Sequence, residues 1–256
     1  MSDIKAQTRA RFGQYAQNYV TGATLAQSDD LERLLHVTQP QPGWRMLDIA
    51  TGGGHTALKF APHVAHVVAS DLTPAMLDAA RAFVAPRSAA NIHFCGADAE
   101  KLPCAAASFD LVTCRFAAHH FPDVYRFAVE AARVLKPGGT LAIIDHLLPE
   151  DERAGDYIDA FDRLRDPTHV RAYSESQWRG LFLDVGLSVE HVEAPRRRAG
   201  MLAWAERQGC APEVVERLHI MLAQAPSAVA AWIQPACAGT PDAAFDHVFI
   251  LITGKK

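Results

Sequence analysis

The hydrophobic and polar positions of the chain fall into three stretches that follow different rhythms. Over residues 3–19 and 24–36 the apolar side chains recur at helical spacing, which predicts two helices. Two prolines and a glycine in segment 39–43 end that pattern. Short apolar runs then alternate with helical segments up to about residue 147, and from residue 149 onward this alternation is lost.

The alternating stretch predicts a parallel β-sheet with helices on both faces. Its apolar runs predict strands over 45–49, 66–70, 92–96, 109–114 and 140–147, and helices are predicted to begin at Gly54, Pro74 and Pro122. The last part predicts a long polar segment up to Tyr173, a helix over 174–186, a strand over 187–192, two helices between 199 and 225 and a final strand over 245–252. We expect these later elements to complete the sheet.

Composition and charge exclude several classes of protein. With 256 residues, of which 49% are hydrophobic and 21% charged, the chain matches an ordinary globular domain that can bury its own core. The 25 Lys and Arg residues against 29 Asp and Glu give a net charge of −4, which supplies no general attraction for nucleic acid or an anionic membrane. No apolar run reaches the roughly 18–20 residues that cross a bilayer, and the first residues lack the apolar core of a signal peptide. We therefore expect a cytoplasmic protein without nucleic-acid or membrane partners, and its oligomeric state is left open between a monomer and a homodimer.

A glycine-rich turn follows the first strand of the alternating stretch. Three glycines at 52–54 lie between the strand and a helix, so the backbone there can approach a ligand closely. One interpretation is a dinucleotide loop, because a G-x-G-x-x-A pattern over 52–57 is followed about 20 residues later by Asp71. Asp48 favours another ligand, since an acid this close to the glycines opposes a pyrophosphate but suits an ammonium and a sulfonium group. S-adenosylmethionine carries both groups.

Three consecutive predicted strands each end in a carboxylate, namely Asp48, Asp71 and Asp98. The carboxyl ends of parallel strands meet at one edge of a sheet, where ligands bind. Asp71 is placed to accept hydrogen bonds from both hydroxyls of a ribose, and Asp98 from the exocyclic amine of an adenine. The alternative for Asp71 is to cap the helix that begins at Pro74.

Five short segments resemble, in order and spacing, the class I S-adenosylmethionine-dependent methyltransferases of the small-molecule type that includes the ubiquinone/menaquinone C-methyltransferases. They are LDIATGGG (47–54), SDLTPAML (70–77), DAEKLP (98–103), SFDLV (108–112) and RVLKPGG (133–139). The resemblance implies an α/β, Rossmann-like, doubly wound sheet of seven mostly parallel strands with an antiparallel last strand. It also implies one domain over 1–256, in which an N-terminal helical cover (1–43) precedes the cofactor-binding core (44–147). A helical insertion and the remaining segments (148–256) would cover the active site and complete the sheet.

The resemblance also assigns residues to the cofactor. Those implied to hold it are Asp48, Ala50, Thr51, Gly52 and Gly54 around the methionine portion, Asp71, Leu72 and Met76 at the ribose, Asp98, Ala99 and Glu100 at the adenine, and the backbone carbonyl of Arg115 at the ammonium group. Ala50 and Thr51 depart from the usual glycine pattern, and a methyl group there is tolerable if the residue has a negative φ. Tyr15 and Tyr19 either cover the methionine end or pack in the core.

The loop after the fourth strand carries the candidate catalytic residues His119 and His120. Either could act as a general base, because an imidazole titrates near the working pH. The alternatives are a cap on the helix near Pro122 or a hydrogen bond to a backbone carbonyl. A metal site with His146 and His169 as further donors is a third alternative, but adjacent histidines rarely converge on one ion and no ligand spacing supports it, so no metal ligand is expected.

The methyl acceptor is expected to contact a further set of residues. They are Phe116, His120, Asp145, His169 and Arg171, the last because a guanidinium fork matches planar anions. The basic run 196–198 is interpreted as solvated surface. The sequence thus predicts methyl transfer from S-adenosylmethionine to a small molecule, with an NAD(P)-dependent oxidoreductase and a non-catalytic S-adenosylmethionine-binding relative as alternatives.

Overall fold

The computed structural model describes residues 2–21, 29–87 and 89–256. The two predicted N-terminal helices correspond to α1 (Ser2–Thr21) and α2 (Asp29–Thr38). Residues 24–28, with which the second helix was predicted to begin, lie outside the described residues.

The described strands form one sheet that confirms the predicted architecture. They are β1 (Arg45–Ile49), β2 (His66–Asp71), β3 (Ile92–Gly96), β4 (Phe109–Arg115), β5 (Leu135–Leu148), β6 (Tyr173–Ser174), β7 (Ser188–Glu193), β8 (Arg196–Gly200) and β9 (Ala244–Lys255). Seven of them follow the order β3-β2-β1-β4-β5-β9-β7, while β6 pairs with β5 and β8 with β9. Strands β1 to β5 pair in parallel, and β9 is antiparallel to its neighbours.

Helices cover both faces of this sheet. They are α3 (His55–Phe60), α4 (Pro74–Val84), α5 (Val124–Val134), α6 (Glu152–Arg165), α7 (Glu175–Asp184), α8 (Met201–Glu206), α9 (Pro212–Ala223) and α10 (Ser227–Ile233). Successive strand residues point to opposite faces, so Leu111 packs in a cluster with Phe60 of α3, whereas Val112 packs in the cluster that holds Phe127 of α5 and Trp178 of α7. Side chains of β4 therefore pack into two separate cores.

The structure corrects the predicted polar segment that follows residue 149. Most of it is helix α6, which begins after Asp151, whose side chain accepts a hydrogen bond from the backbone N–H of Ala154. Although many residues of α6 are charged, one face of the helix is buried and includes Ile158 and Phe161. These side chains pack with those of α8, α9 and α10 in a third cluster, and α10 was not predicted.

The basic run 196–198 agrees in part with the predicted solvated surface, because Arg196 and Arg198 are exposed whereas Arg197 is half-buried. It forms strand β8, in which Arg197 pairs with His247 of β9. The guanidinium of Arg197 lies 3.2 Å from a carboxylate oxygen of Asp30 and over the ring of Phe249. Alternating exposure along this short strand explains how three consecutive arginines belong to the sheet.

None of the helices in the described ranges is both long and apolar enough to cross a membrane.

Candidate active site

A first cavity opens at the carboxyl edge of β1, β2 and β3, which is where the sequence predicted a ligand. The predicted residues that line it are Ala50, Thr51, Gly52, Asp71, Leu72, Met76, Asp98, Ala99, Glu100, Arg115, Phe116 and His120. The parallel register brings them together, because Asp48 of β1 lies beside Ala69 of β2 and Ser70 of β2 beside Cys95 of β3.

Asp71 is held in place by the backbone around it. One carboxylate oxygen accepts from the N–H of Gly52 at 3.0 Å and the other from the N–H of Thr73 at 2.8 Å. Burial raises the pKa of Asp71, while these backbone donors act in the opposite direction. Thr73 is the N-cap residue of α4, but its side chain makes no capping hydrogen bond. Asp71 stabilises the turn before the helix through the N–H of Thr73, and it also lines the cavity.

Asp48 lies beneath the cavity and does not belong to its lining. Its carboxylate is 1% exposed and accepts hydrogen bonds from the hydroxyls of Thr51 at 2.6 Å and Thr113 at 2.7 Å. Burial raises the pKa of Asp48 to about 6. In place of the predicted direct contact, the structure gives Asp48 a role in positioning Thr51, which does line the cavity.

A methyl group in this loop was predicted to require a negative φ, but the φ of Ala50 is +53°. This left-handed conformation follows from the sharp turn between β1 and the glycines, and Gly52 shares it with a φ of +54°. Thr51 lies between them and is not among the residues with positive φ. A methyl group at position 50 therefore strains the loop at the cavity wall.

We expect Ala50→Gly to raise the free energy of unfolding by about 1 kcal/mol, because glycine removes the left-handed penalty but adds entropy to the unfolded chain. Chemical denaturation followed by circular dichroism measures the change. The matched control is Ala82→Gly on the exposed face of α4, which should lower the stability by about 0.5–1 kcal/mol. Equal losses in both variants would contradict the strain at Ala50.

Helix α1 supplies a wall of the first cavity through residues that the sequence analysis missed. Lys5, Thr8 and Phe12 line the cavity, whereas Tyr15 does not. The phenol of Tyr15 instead lies against Gly209. Phe12 precedes Tyr15 by three residues, so the two side chains lie on neighbouring parts of the helix surface. This spacing could have indicated Phe12 as a second aromatic candidate for covering the cofactor. The side chain of Tyr19 lies outside the described residues.

Ion pairs fix both α1 and the fourth strand at this cavity. The ammonium group of Lys5 lies 2.7 Å from Asp98 and 2.6 Å from Glu100. The side chain of Arg115 pairs with Asp30 at 2.7 Å, and both side chains are nearly buried. Gly54 does not line the first cavity. It packs closely against α4, because a Cβ at this position would lie 3.2 Å from the Cβ of Ala80.

A second cavity of about 370 Å³ adjoins the first and is rich in histidine. The titratable side chains that line it include His119, His120, His146, His169, His247, Asp162, Asp166, Arg165 and Arg197. Phe12, Phe116 and His120 line both cavities. The two spaces therefore meet at these three side chains.

Three of the histidines are anchored by buried carboxylates. The ring contacts are His119 Nδ1 to Asp145 at 2.5 Å, His146 Nδ1 to Asp162 at 3.0 Å and His169 Nε2 to Asp159 at 2.7 Å. The ring of His119 stacks on that of His146 with centroids 4.2 Å apart, and on that of His169 at 5.2 Å. His119 is thus the central ring of the group.

The imidazoles of this group differ in their affinity for protons. Burial lowers the pKa of His119 well below its usual range, and the neighbouring imidazoles act in the same direction. Burial also lowers the pKa of His120. At His146 burial also acts to lower the pKa, but the carboxylates of Asp162 and Asp145 together outweigh burial and raise the pKa.

Two residues predicted to contact the acceptor lie elsewhere. Asp145 is buried behind His119 and does not line a cavity described here. Arg171 is exposed, with its guanidinium 5.4 Å from the ring centroid of Tyr173. The prediction for Arg171 followed from its neighbours in the sequence, whereas the chain turns over 166–169 and, of His169 and Arg171, only the histidine lines the second cavity.

The sequence carried unused signals for the missed residues. Asp159, Asp162 and Asp166 follow one another by three and four residues, which places them on one face of α6 and its C-cap. His247 alternates with Phe245 and Phe249 in β9, so the three share a face of that strand. Helix capping, which was one alternative for His119 or His120, is performed by Asp123, which accepts from the N–H of Arg126.

The chain resembles known methyltransferases in sequence and structure. A family described as a methyltransferase domain matches residues 47–143. An uncharacterized methyltransferase of Bacillus subtilis, YcgJ, is 36% identical over 198 residues, which are 77% of this chain and 78% of that protein. A demethylmenaquinone methyltransferase of Deinococcus radiodurans is 42% identical over 104 residues, or 40% and 42% of the two chains. The crystal structure of YcgJ superposes with a TM-score of 0.85 and covers 88% of this chain and 97% of that one, at 32% identity in the structural alignment.

Proposed function

The chain belongs to the S-adenosylmethionine-dependent methyltransferase family, and we propose that it transfers the methyl group across the junction between its two cavities. The first cavity would hold the cofactor and the second a small-molecule acceptor. The observation that carries the proposal is that Phe12, Phe116 and His120 line both spaces. A methyl donor in the first cavity and a methyl acceptor in the second would therefore be adjacent at these residues, and the methyl group would not pass through open solvent.

The groups that line the first cavity support its assignment to the cofactor. Asp71 offers carboxylate oxygens at the end of β2, where a ribose is bound in α/β folds of this kind. Gly52 leaves space that a Cβ would occupy 3.5 Å from Met76, and Asp98 and Glu100 add polar groups at the end of β3. S-adenosylmethionine, when bound, supplies a methyl group attached to a positively charged sulfur.

His120 is the residue that we assign to proton transfer. Its Nδ1 lies 3.0 Å from the carbonyl oxygen of Thr168, which can only accept a hydrogen bond. Nδ1 therefore carries the proton, and Nε2 keeps a lone pair that can take a proton from an acceptor in the second cavity. His119 is less suited to this task because its ring is enclosed between other imidazoles.

Removal of the Asp71 side chain tests the cofactor half of the proposal. We expect Asp71→Ala to weaken the binding of S-adenosylhomocysteine by about 1–3 kcal/mol, measured by isothermal titration calorimetry. The substitution also leaves the N–H groups of Gly52 and Thr73 without an acceptor, so it should lower the stability.

Asp110 provides the matched control for this loss of stability. It accepts from the backbone N–H of Arg45 and from Lys136 at the opposite edge of the sheet. Asp110→Ala should therefore destabilise the protein without changing its affinity for S-adenosylhomocysteine. Equal affinities of the two variants would refute the ribose role of Asp71. Turnover of an acceptor found by screening with labelled S-adenosylmethionine would exclude a non-catalytic relative.

A further inference from the structure

We propose that His119, His146 and His169 bind a divalent first-row transition-metal ion, such as Zn²⁺, in the second cavity. One ring nitrogen from each residue lies within 4.8 Å of the others. The residues come from the turn after β4, the end of β5 and the segment after α6, so only the folded chain brings them together. This reverses the expectation from the sequence, in which no metal ligand was assigned.

The second nitrogen of each ring supports this assignment. Asp145, Asp162 and Asp159 bind one nitrogen of His119, His146 and His169, respectively. A carboxylate at that position fixes the ring orientation and leaves the lone pair on the other nitrogen, which is the usual arrangement of metal-binding histidines. The lone pairs then belong to Nε2 of His119, Nε2 of His146 and Nδ1 of His169.

Buried carboxylates lie behind the rings of the cluster, while Arg165, Arg197, Arg198 and Arg207 line the same cavity. Asp145 and Asp162 are 1% and 4% exposed, and within the described ranges the salt-bridge partners of both are imidazoles alone. Asp159 and Asp166 also have arginine partners, because Arg163 lies 3.6 Å from Asp159 and Arg11 lies 3.4 Å from Asp166. Asp145 also accepts from the backbone N–H groups of His119 and His146, and a nearby cation would further lower the cost of burying the carboxylates of Asp145 and Asp162.

A second set of side chains could be considered, namely His146, Asp162 and His247. Here the carboxylate of Asp162 already contacts both rings, at 3.0 Å and 3.5 Å. An ion would have to replace these contacts. Among the described residues no hydrogen bond joins the rings of the first set to one another, so an ion bound to their other nitrogens would leave the contacts with Asp145, Asp162 and Asp159 in place.

The proposed site would be of the open kind, and its link to catalysis rests on the proposed function. Three protein ligands leave a tetrahedral ion with a fourth position for water or an acceptor oxygen or nitrogen. All three histidines line the second cavity, in which that position would lie. Bonds of about 2.0–2.1 Å place ligand nitrogens about 3.3 Å apart, so the rings must close on the ion and metal should stabilise the fold.

Titration with cobalt tests the site directly. The 256-residue chain, freed of metal by a chelator, is titrated with Co²⁺ and followed by its visible ligand-field bands, and Zn²⁺ is then added as a competitor. We expect one ion per chain, displacement by Zn²⁺ and a higher melting temperature. His169→Gln should lower the affinity by more than the roughly 10–100-fold expected for Asp145→Asn, which changes the anchor of the His119 ring but keeps all three ligands.

Two further variants separate the candidate sites. His247→Gln removes a ring of the second set only, and His93→Gln removes an exposed histidine of β3, so neither should weaken the metal site. Loss of binding in His247→Gln but not in His169→Gln would overturn the assignment, as would the absence of a one-to-one Co²⁺ complex in the folded wild type. Binding of S-adenosylhomocysteine, measured on the same variants, reports on the first cavity independently of the metal.

Discussion

Replacing His120 with glutamine should lower the turnover number by about 10²–10⁴-fold for an acceptor that must lose a proton. The glutamine side chain fills similar space but has no lone pair of comparable basicity. The wild-type Nε2 has one because the carbonyl of Thr168 holds the proton on Nδ1. Transfer of a labelled methyl group, measured in a single turnover at saturating cofactor, checks this prediction.

The binding of S-adenosylhomocysteine shows whether the His120 variant keeps an intact first cavity. His93→Gln is the matched control, since His93 is exposed on β3 and lines neither cavity. A turnover number that is unchanged in the His120 variant would show that this imidazole does not take the proton. A loss of turnover that parallels a loss of cofactor affinity would assign it to binding.

The fold and the first cavity could be predicted because their signals are local. The strands that end at Asp48, Asp71 and Asp98 appear as short apolar runs, and parallel pairing brings their carboxyl ends to one edge. Helix α6 escaped prediction because its many charged residues mask a narrow buried stripe. Ala50 was judged by residue type, whereas its positive φ depends on how the turn packs between two strands.

The histidine cluster is different, because its members are far apart in sequence. His119, His146, His169 and His247 belong to separate elements, and no spacing rule connects them. Their convergence depends on β9 being inserted next to β5 and on α6 folding back over that pair. Such an arrangement follows from tertiary packing, so the sequence could indicate only that His146 and His169 were available donors.

Asp48→Asn should stabilise the protein above about pH 6 and change little near pH 4. The folded-state pKa of Asp48 is raised to about 6 by burial, from an ordinary value of 3.8. Between these values the folded protein holds a proton that the unfolded chain has released, so the free energy of unfolding falls as the pH rises. Above pH 6 the full penalty of about 3 kcal/mol is present, and asparagine removes it.

Denaturation of both proteins at several pH values isolates this contribution, because all other groups are shared. Asparagine can still accept from one threonine and donate to the other, since the hydroxyls of Thr51 and Thr113 can rotate. Asp110→Asn is the control with the opposite sign: the Arg45 N–H and Lys136 lower the pKa of Asp110 despite partial burial, so its carboxylate stabilises the fold above its unfolded pKa. A constant difference between wild type and Asp48→Asn from pH 4 to pH 8 would mean that Asp48 keeps an ordinary pKa in the folded protein, and hence that Thr51, Thr113 and Arg115 fully offset its burial.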